Sequence, residues 1–132
     1  AIYDPTALIE VLRRTKASQV LLTPSLLQQV LDSTKTSPGL YQLSQVLPSL
    51  RMVLLCGEVV LWDLVRVVRS RLPAVQLYSE YSISECGTVS MGLIEEPADA
   101  RVEHLSGAVP TGYPDPNIQC FILDDQQQPV PL

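Results

Sequence analysis

The apolar and polar positions at the start of the chain follow first a helical and then a strand-like spacing. Leu8, Val11 and Leu12 recur along one helical face, and the Asp-Pro pair at residues 4–5 is typical of a helix start. Residues 19–22 are a short apolar run, as in a strand buried within a sheet. The pattern therefore predicts a helix followed by a strand.

The same alternation continues further along the chain. Thr23 stands before a proline and predicts the cap of a second helix, whose apolar stripe covers residues 26–31. Polar residues that end in Pro-Gly predict a loop over residues 34–39, and residues 40–46 predict a short helix. Residues 52–55 are the clearest strand in the sequence.

Another helix and further strands follow. Residues 61–72 carry the stripe of an amphipathic helix, and residues 75–78 and 89–94 predict strands. Residues 79–85 are polar and predict a loop, whereas residues 118–123 predict a strand that a turn closes. Because helices alternate with short buried strands, we expect an α/β fold with a mainly parallel sheet flanked by helices.

The character of the sequence changes beyond residue 95, where prolines separate polar turns. We expect residues 1–105 to form the α/β portion and residues 106–132 to begin a β-rich subdomain. The chain opens without a methionine and stops just after an extended segment. We therefore expect a fragment that is incomplete at both ends.

Composition excludes several classes of protein. With 46% apolar and 17% charged residues the chain does not have the composition of a disordered one. A net charge of −5 gives no electrostatic reason to expect nucleic acid or anionic lipid as a partner. No apolar run is long enough to span a membrane, and no signal peptide is visible. We expect neither a nucleic-acid nor a membrane partner.

The three cysteines, Cys56, Cys86 and Cys120, lie far apart in the sequence. An odd count at this spacing does not fit a secreted disulfide framework, so we expect a reducing, cytoplasmic location. A zinc site that includes His104 is disfavoured because the spacing lacks a ligand knuckle. His104 is the sole histidine and lies in a polar stretch, which favours a solvated loop residue.

Two segments follow predicted strands and are candidates for chemistry, because ligands of open α/β sheets bind at the carboxyl ends of the strands. In residues 56–58, Gly57 would let a ring or a phosphate approach the backbone closely. In residues 79–85, Tyr81 offers a stacking face and Glu85 a hard oxygen ligand suited to Mg²⁺. For residues 56–58 the plainer interpretation is a helix start capped by an acidic side chain. For residues 79–85 it is an ordinary surface turn.

Other nucleotide and hydrolase motifs are missing from the sequence. There is no G-x-G-x-x-G after a strand and no G-x-x-x-x-G-K-[ST] phosphate loop. The G-x-S-x-G nucleophile elbow is also absent. The dinucleotide-binding, Walker-type and α/β-hydrolase classes are therefore disfavoured.

Three segments together resemble the adenylate-forming, or AMP-binding, superfamily, which includes acyl-CoA synthetases, luciferases and adenylation domains of nonribosomal peptide synthetases. LRMVLLCGE at residues 50–58 is similar to the family's LRxxxxGGE strand and turn. The segment at residues 78–86, YSEYSISEC, is similar to the family's adenine-binding N-x-Y-G-x-T-E loop. Its sequence is most like that of carrier-linked, aminoadipate-reductase-like members. Residues 112–131 resemble GxPxxNxxxxVLDxxxxPVP.

The resemblance implies a nucleotide site. Tyr81 would lie against adenine, Ser84 near the α-phosphate, and Glu85 would hold Mg²⁺, so that Ser84 and Glu85 are the implied catalytic residues. Ser79 stands where the family has the Asn that reads the adenine amino group. The implied nucleotide-binding residues are Gly57, Glu58, Ser79, Glu80, Tyr81, Ser82 and Ser84.

The resemblance also implies a pocket for the acid substrate. Its lining would be Leu54, Cys56, Glu80, Thr88 and Val89. Glu80 is unusual at a position that is commonly small or apolar in the family. Its carboxylate either pairs with an ammonium group of the substrate or points to solvent, and the sequence leaves both open.

The activity implied by the resemblance is ATP-dependent activation of a carboxylic or amino acid as acyl-AMP, with transfer to the thiol of coenzyme A or of a carrier protein's phosphopantetheine. A carrier-protein domain is the implied partner. The fragment alone would be inactive, because the phosphate loop and the catalytic lysine of the family are absent from it. Two alternatives stay open, namely a non-catalytic pseudoenzyme or scaffold and an unrelated α/β small-molecule binding domain.

Overall fold

A computed structural model describes residues 4–36, 42–95 and 107–130 of the chain. In these residues helices and strands are interspersed up to residue 83, and strands follow. In chain order the elements are α1 (Pro5–Thr15), β1 (Gln19–Leu22), α2 (Pro24–Thr36), α3 (Leu43–Val46), β2 (Met52–Leu55), α4 (Trp62–Arg71), β3 (Gln76–Ile83), β4 (Gly87–Leu93) and β5 (Tyr113–Pro114).

The strands form one five-stranded sheet in the order β1-β2-β3-β4-β5. The pairs β1–β2 and β2–β3 are parallel, with Leu22 opposite Leu55 and Leu55 opposite Ser79. The pairs β3–β4 and β4–β5 are antiparallel. The α/β class is confirmed, and the sheet is mixed because the hairpin after β3 reverses the strand direction.

The core lies on one face of the sheet. The connections β1-α2-β2 and β2-α4-β3 step in the same direction along the sheet, so crossovers of the usual right hand place both helices on the same side, where α2 contacts α4. Val53 and Leu55 of β2 are fully buried there, as are Leu31 of α2 and Val65 and Val68 of α4. The helices pack against this face. Because β1, β2 and β3 are parallel, their carboxyl ends lie at the same edge of the sheet.

The opposite face carries apolar side chains that no described helix covers. Leu21 of β1 is 59% exposed and Tyr113 of β5 is 85% exposed. Met91 and Leu93 of β4 are also exposed on this side, opposite Glu80 and Tyr78 in the register. The sheet is thus packed on one side only within the described part of the chain.

The predicted helix starts are confirmed. Asp4 accepts hydrogen bonds from the amides of Thr6 and Ala7, at 2.9 and 3.3 Å, and caps α1. Thr23 accepts one from the amide of Leu26 at 3.2 Å and caps α2. These bonds satisfy amides that a first helical turn leaves without intrahelical partners.

Several predicted boundaries are wrong. Residues 79–83 continue β3 because β4 pairs with them, and only residues 84–86 form the turn of the hairpin. The helix α2 runs to Thr36, past the predicted loop start, with the buried Thr34 hydroxyl bonded to the carbonyl of Leu31 at 2.6 Å.

The predicted strand over residues 118–123 is also wrong. Only a single bridge joins Leu123 to Pro129, and the segment is largely exposed. The turn that closes it is present, since Asp124 accepts hydrogen bonds from the amides of Gln126 and Gln128. His104 lies outside the described residues.

Candidate functional site

The turn after β2 forms one wall of the candidate site. Cys56 still follows the sheet, since its amide donates to the carbonyl of Leu22 at 3.1 Å. Gly57 then adopts φ +84°, in the left-handed region that favours glycine. A Cβ atom on Gly57 would lie 3.7 Å from Thr23 Cγ2, an ordinary contact, so the backbone conformation and not lack of space selects glycine here.

The Glu58 carboxylate is engaged by α2 and not by the helix that follows it. Its Oε1 accepts a hydrogen bond from the Ser25 hydroxyl at 2.7 Å, and its Oε2 accepts one from the Ser25 amide at 2.9 Å. The hydroxyl first and then the amide lower the pKa of Glu58 below its ordinary value. Because these donors lie in the first turn of α2, the helix dipole also favours the negative charge.

A cavity of about 440 Å³ lies at the carboxyl ends of β2 and β3. Every residue that the sequence analysis assigned to nucleotide binding lines this cavity except Ser84. Within it Ser79 is buried, whereas Tyr81 keeps 49% of its surface exposed. The structure therefore brings the two predicted segments together across the sheet edge.

The cavity also has lining residues that the sequence analysis did not single out. They come from the turn before α4 and from the chain that leads into β5: Val59, Val60, Ala108, Val109 and Thr111. The Val109 amide donates to the carbonyl of Val60 at 2.8 Å, and the hydroxyls of Ser90 and Thr111 are 3.1 Å apart. The only sequence signal for this wall was the Gly-Tyr-Pro motif that begins at Gly112.

Gly112 lets this wall lie directly on β4. A Cβ atom on Gly92 would lie 2.6 Å from Gly112 Cα, closer than such atoms approach in proteins. Both glycines are therefore required by the close approach of the two backbones. Their contact holds residues 108–111 over the cavity.

Most of the predicted substrate-pocket residues converge on the other face of β3. The Thr88 hydroxyl donates to Glu80 Oε1 at 2.7 Å, and Cys56 Sγ lies 3.1 Å from Ser82 Oγ, within hydrogen-bond distance. Strand alternation places Glu80 and Ser82 on the same side, away from Ser79 and Tyr81. We call Cys56, Glu80, Ser82 and Thr88 the polar row.

The remaining two candidates for the substrate pocket, Leu54 and Val89, lie outside the polar row. Leu54 lies two residues before Cys56 on β2, and is half-buried on the same face. Val89 is the extra residue of a β-bulge, since Tyr81 pairs with Ser90 and Ser82 with Thr88. Val89 is buried, in contrast to the exposed Met91, and the bulge separates it from the polar row.

The predicted catalytic residues, Ser84 and Glu85, lie in the exposed turn between β3 and β4. The Cys86 amide closes this turn on the carbonyl of Ile83 at 3.2 Å. The described residues contain no group of three or more His, Cys, Asp or Glu side chains placed to bind a metal ion. A single exposed carboxylate fits the mode in which Mg²⁺ takes one protein oxygen and completes its coordination with substrate phosphates and water.

A second hollow, of about 470 Å³, lies between α1 and residues 45–49. Polar and apolar side chains of α1, of residues 16–17 and of residues 45–49 line it, and it includes none of the residues that the sequence analysis assigned to nucleotide or substrate binding. We therefore place the candidate site at the carboxyl edge of the sheet.

In the described residues no helix is both long and apolar enough to cross a bilayer.

This arrangement defines an α/β domain whose candidate ligand site lies at the carboxyl ends of its parallel strands. The profile of the AMP-binding enzyme family matches residues 1–132, the whole chain. The chain belongs to that family of adenylate-forming enzymes.

Curated relatives agree with this assignment. Glycine betaine reductase ATRR of Emericella nidulans is 35% identical over 94 residues, which cover 71% of this chain and 7% of that protein. A D-alanine–D-alanyl carrier protein ligase of Bacillus velezensis is 27% identical over 130 residues, which cover 98% of this chain and 24% of the ligase. The chain thus spans a quarter or less of the length of these relatives.

Solved structures show the same fold. The nonribosomal peptide synthetase FmoA3, in the form with α-methyl-L-serine-AMP bound, superposes with a TM-score of 0.78 at 19% identity. The match covers 98% of this chain and 14% of that one. The strands and helices described above therefore have the fold of the matching part of that synthetase.

Proposed function

We propose that the complete protein, meaning the product of the whole reading frame that contains this chain, uses ATP to activate a carboxylic or amino acid as acyl-AMP. The observation that carries the proposal is the cavity at the carboxyl ends of β2 and β3, because six of its lining residues are ones that the family resemblance assigns to nucleotide binding. Its volume of about 440 Å³ lies within the range of ordinary ligand pockets.

In the proposed reaction the carboxylate of the acid attacks the α-phosphorus of ATP, and pyrophosphate leaves. The attack joins two anions, so the protein's task is positioning and charge neutralisation. Tyr81 stacks on adenine, the Gly57 turn lines the same slot, and the Ser84 hydroxyl contacts the α-phosphate. Glu85 is the ligand for Mg²⁺, which when bound offsets charge on the phosphates.

The second half of the proposal is transfer of the acyl group to a thiol, either of coenzyme A or of a phosphopantetheine on a carrier protein. The name of the Bacillus velezensis relative, a carrier protein ligase, supports a carrier as the acceptor. The acid substrate is a small molecule. We infer that this chain alone catalyses no exchange, since it spans only 24% of that ligase.

The test is ATP–pyrophosphate exchange by the complete protein, with a panel of amino acids and plain carboxylic acids. We expect exchange with at least one acid, and its loss in Glu85→Gln. Glu10→Gln is the matched control, because Glu10 lies on α1 and its carboxylate pairs with Arg13 at 2.7 Å, away from the site. Saturable ATP binding without exchange for any acid would instead favour a non-catalytic scaffold.

A further inference from the structure

The Glu80 carboxylate has only part of its bonding capacity filled. Its Oε1 accepts the Thr88 hydroxyl at 2.7 Å, while the residue is half-buried on β3. A carboxylate can accept several hydrogen bonds through its two oxygens. The ion pairs between described residues join other side chains, so no cation of the described chain neutralises Glu80.

The position of Glu80 makes this charge available to a ligand. It lies in the polar row beside the Cys56–Ser82 pair, and both Glu80 and Ser82 also line the cavity at the carboxyl edge. No described helix covers the face of the sheet that carries the polar row, and each side chain of the row keeps part of its surface exposed. A ligand that occupies the cavity and extends past β3 would reach the Glu80 carboxylate.

The chemistry of Glu80 selects among such ligands. An apolar acyl chain that covers a carboxylate removes its hydrating water and supplies no hydrogen bond or opposite charge, which is unfavourable. A substrate ammonium restores the lost interactions with a charge-assisted hydrogen bond. The same carboxylate therefore attracts an acid that carries an amine and rejects an acid that lacks one.

We propose that Glu80, oriented by Thr88, determines specificity for acids that carry an ammonium group, so that the substrate is an amino acid and not a plain carboxylic acid. The inference rests on the proposed function and adds the class of its substrate. Glu80 acts by contact with the substrate, and Thr88 is a positioning residue that fixes the carboxylate.

The experiment compares matched acids in the exchange assay with the complete protein: alanine or β-alanine against propionic acid, and lysine or 6-aminohexanoic acid against hexanoic acid. We expect the wild type to prefer an amino-bearing member. In Glu80→Gln the ratio of kcat/KM between that acid and its amine-free partner should fall about tenfold or more, since hydrogen bonds to charged groups are stronger than neutral ones. The loss should appear mainly in KM for the amino acid.

Thr88→Val provides a second, independent variant. It removes the hydroxyl but keeps the shape and the Glu80 charge, so the preference should fall in the same direction by a smaller factor. Thr88→Ser keeps the hydroxyl and should restore most of the preference. If Glu80→Gln does not fold, as judged by its circular dichroism, the Thr88 pair still decides the outcome.

The possible outcomes separate the two proposals. An unchanged preference in folded Glu80→Gln, or in Thr88→Val where Glu80→Gln does not fold, would overturn the specificity role and leave Glu80 as a support of the β3–β4 hairpin. A wild type that prefers amine-free acids would overturn it as well, with the proposed ligase activity intact. Absence of exchange with every acid would overturn both proposals. Glu10→Gln, on the surface of α1, should leave the preference at its wild-type value.

Discussion

The side chain of Glu58 is tied to Ser25, 33 residues earlier in the chain, by two hydrogen bonds of 2.7 and 2.9 Å. The bonds connect the turn after β2 with the first turn of α2. Because Gly57 in this turn lines the cavity, the pair holds one wall of the candidate site against the helix layer. We therefore expect Glu58 to support the nucleotide site by fixing the Gly57 turn.

This relationship predicts a pH-dependent stability. The Ser25 hydroxyl and amide hold the pKa of Glu58 below its ordinary value of 4.5, so the folded state favours the charged carboxylate. The contribution is present above the unfolded-state pKa and is lost as pH falls through the lowered one. We expect Glu58→Gln to lower the urea midpoint of the complete protein near neutral pH, and the difference from wild type to vanish in acid.

Glu10→Gln is the control for this effect. The pKa of Glu10 is also lowered, but by the hydrogen bond and charge of Arg13 in an exposed i,i+3 pair. Added salt screens such surface pairs, whereas the partners of Glu58 are neutral dipoles. The effect of Glu58→Gln should therefore persist at high salt. An effect that added salt removes would show that the Ser25 bonds are not its origin.

Tyr81 is expected to provide the stacking face for adenine. Base–aromatic stacking is worth about 1–3 kcal/mol, so Tyr81→Ala should weaken ATP binding by about tenfold to a hundredfold. Tyr81→Phe keeps the ring and should bind nearly as well as wild type. The measurement is calorimetric titration of the complete protein with ATP and Mg²⁺.

Tyr113→Ala is the matched control for the loss of an aromatic ring. Tyr113 lies on β5, is 85% exposed and does not line the cavity. Its removal should leave ATP affinity unchanged. Equal affinity in Tyr81→Ala and wild type would place adenine elsewhere.

The contact between Gly92 and Gly112 is expected to shape the cavity. A methyl group on Gly92 would lie 2.6 Å from Gly112 Cα, so the backbone of one segment must move. Such overpacking typically costs about 1–3 kcal/mol. Because the displaced segment carries Val109 and Thr111 of the cavity wall, Gly92→Ala should also weaken ATP binding about tenfold or more.

Met91→Ala tests whether this effect is specific. Met91 is the neighbour of Gly92 on β4 and is exposed on the other side of the sheet. Its truncation should change neither ATP affinity nor the wall of the cavity. Should Gly92→Ala bind ATP as tightly as Met91→Ala does, the glycine contact would have no part in the site.

Leu55 is expected to connect the core with the site. It is fully buried at the end of β2, directly before Cys56. Removing a large buried side chain from a core costs about 2–5 kcal/mol, so Leu55→Ala should strongly lower the thermal midpoint of the complete protein. Asp4→Ala, which removes the cap of α1 far from the site, should cost about 1 kcal/mol.

ATP binding separates the two variants further. Leu55→Ala should weaken it, because the strand end that bears Cys56 and Gly57 loses its support, whereas Asp4→Ala should leave it unchanged. A Leu55→Ala protein as stable as wild type would contradict the core described above.

The sequence by itself determined the features that depend on near neighbours in the chain. Asp4 and Thr23 cap helices through amides two to three residues away, and such bonds require only a local conformation. The strand at residues 52–55 and the helix after it follow from apolar spacing. The family motifs also predicted that Gly57 and Tyr81 belong to one site, and both residues line the cavity.

Only the tertiary structure decided the features that depend on register. Residues 79–83 are polar and were expected to form a loop, yet they extend β3 because β4 supplies backbone partners on the adjacent edge. Glu58 meets Ser25, and Glu80 meets Thr88, through pairings of strands and helices that no local pattern encodes. The wall at residues 108–111 reaches the cavity because two glycine backbones touch. Local propensity depends on neighbouring residues in the chain, whereas these contacts depend on how whole elements pack. The sequence pattern alone therefore could not predict them.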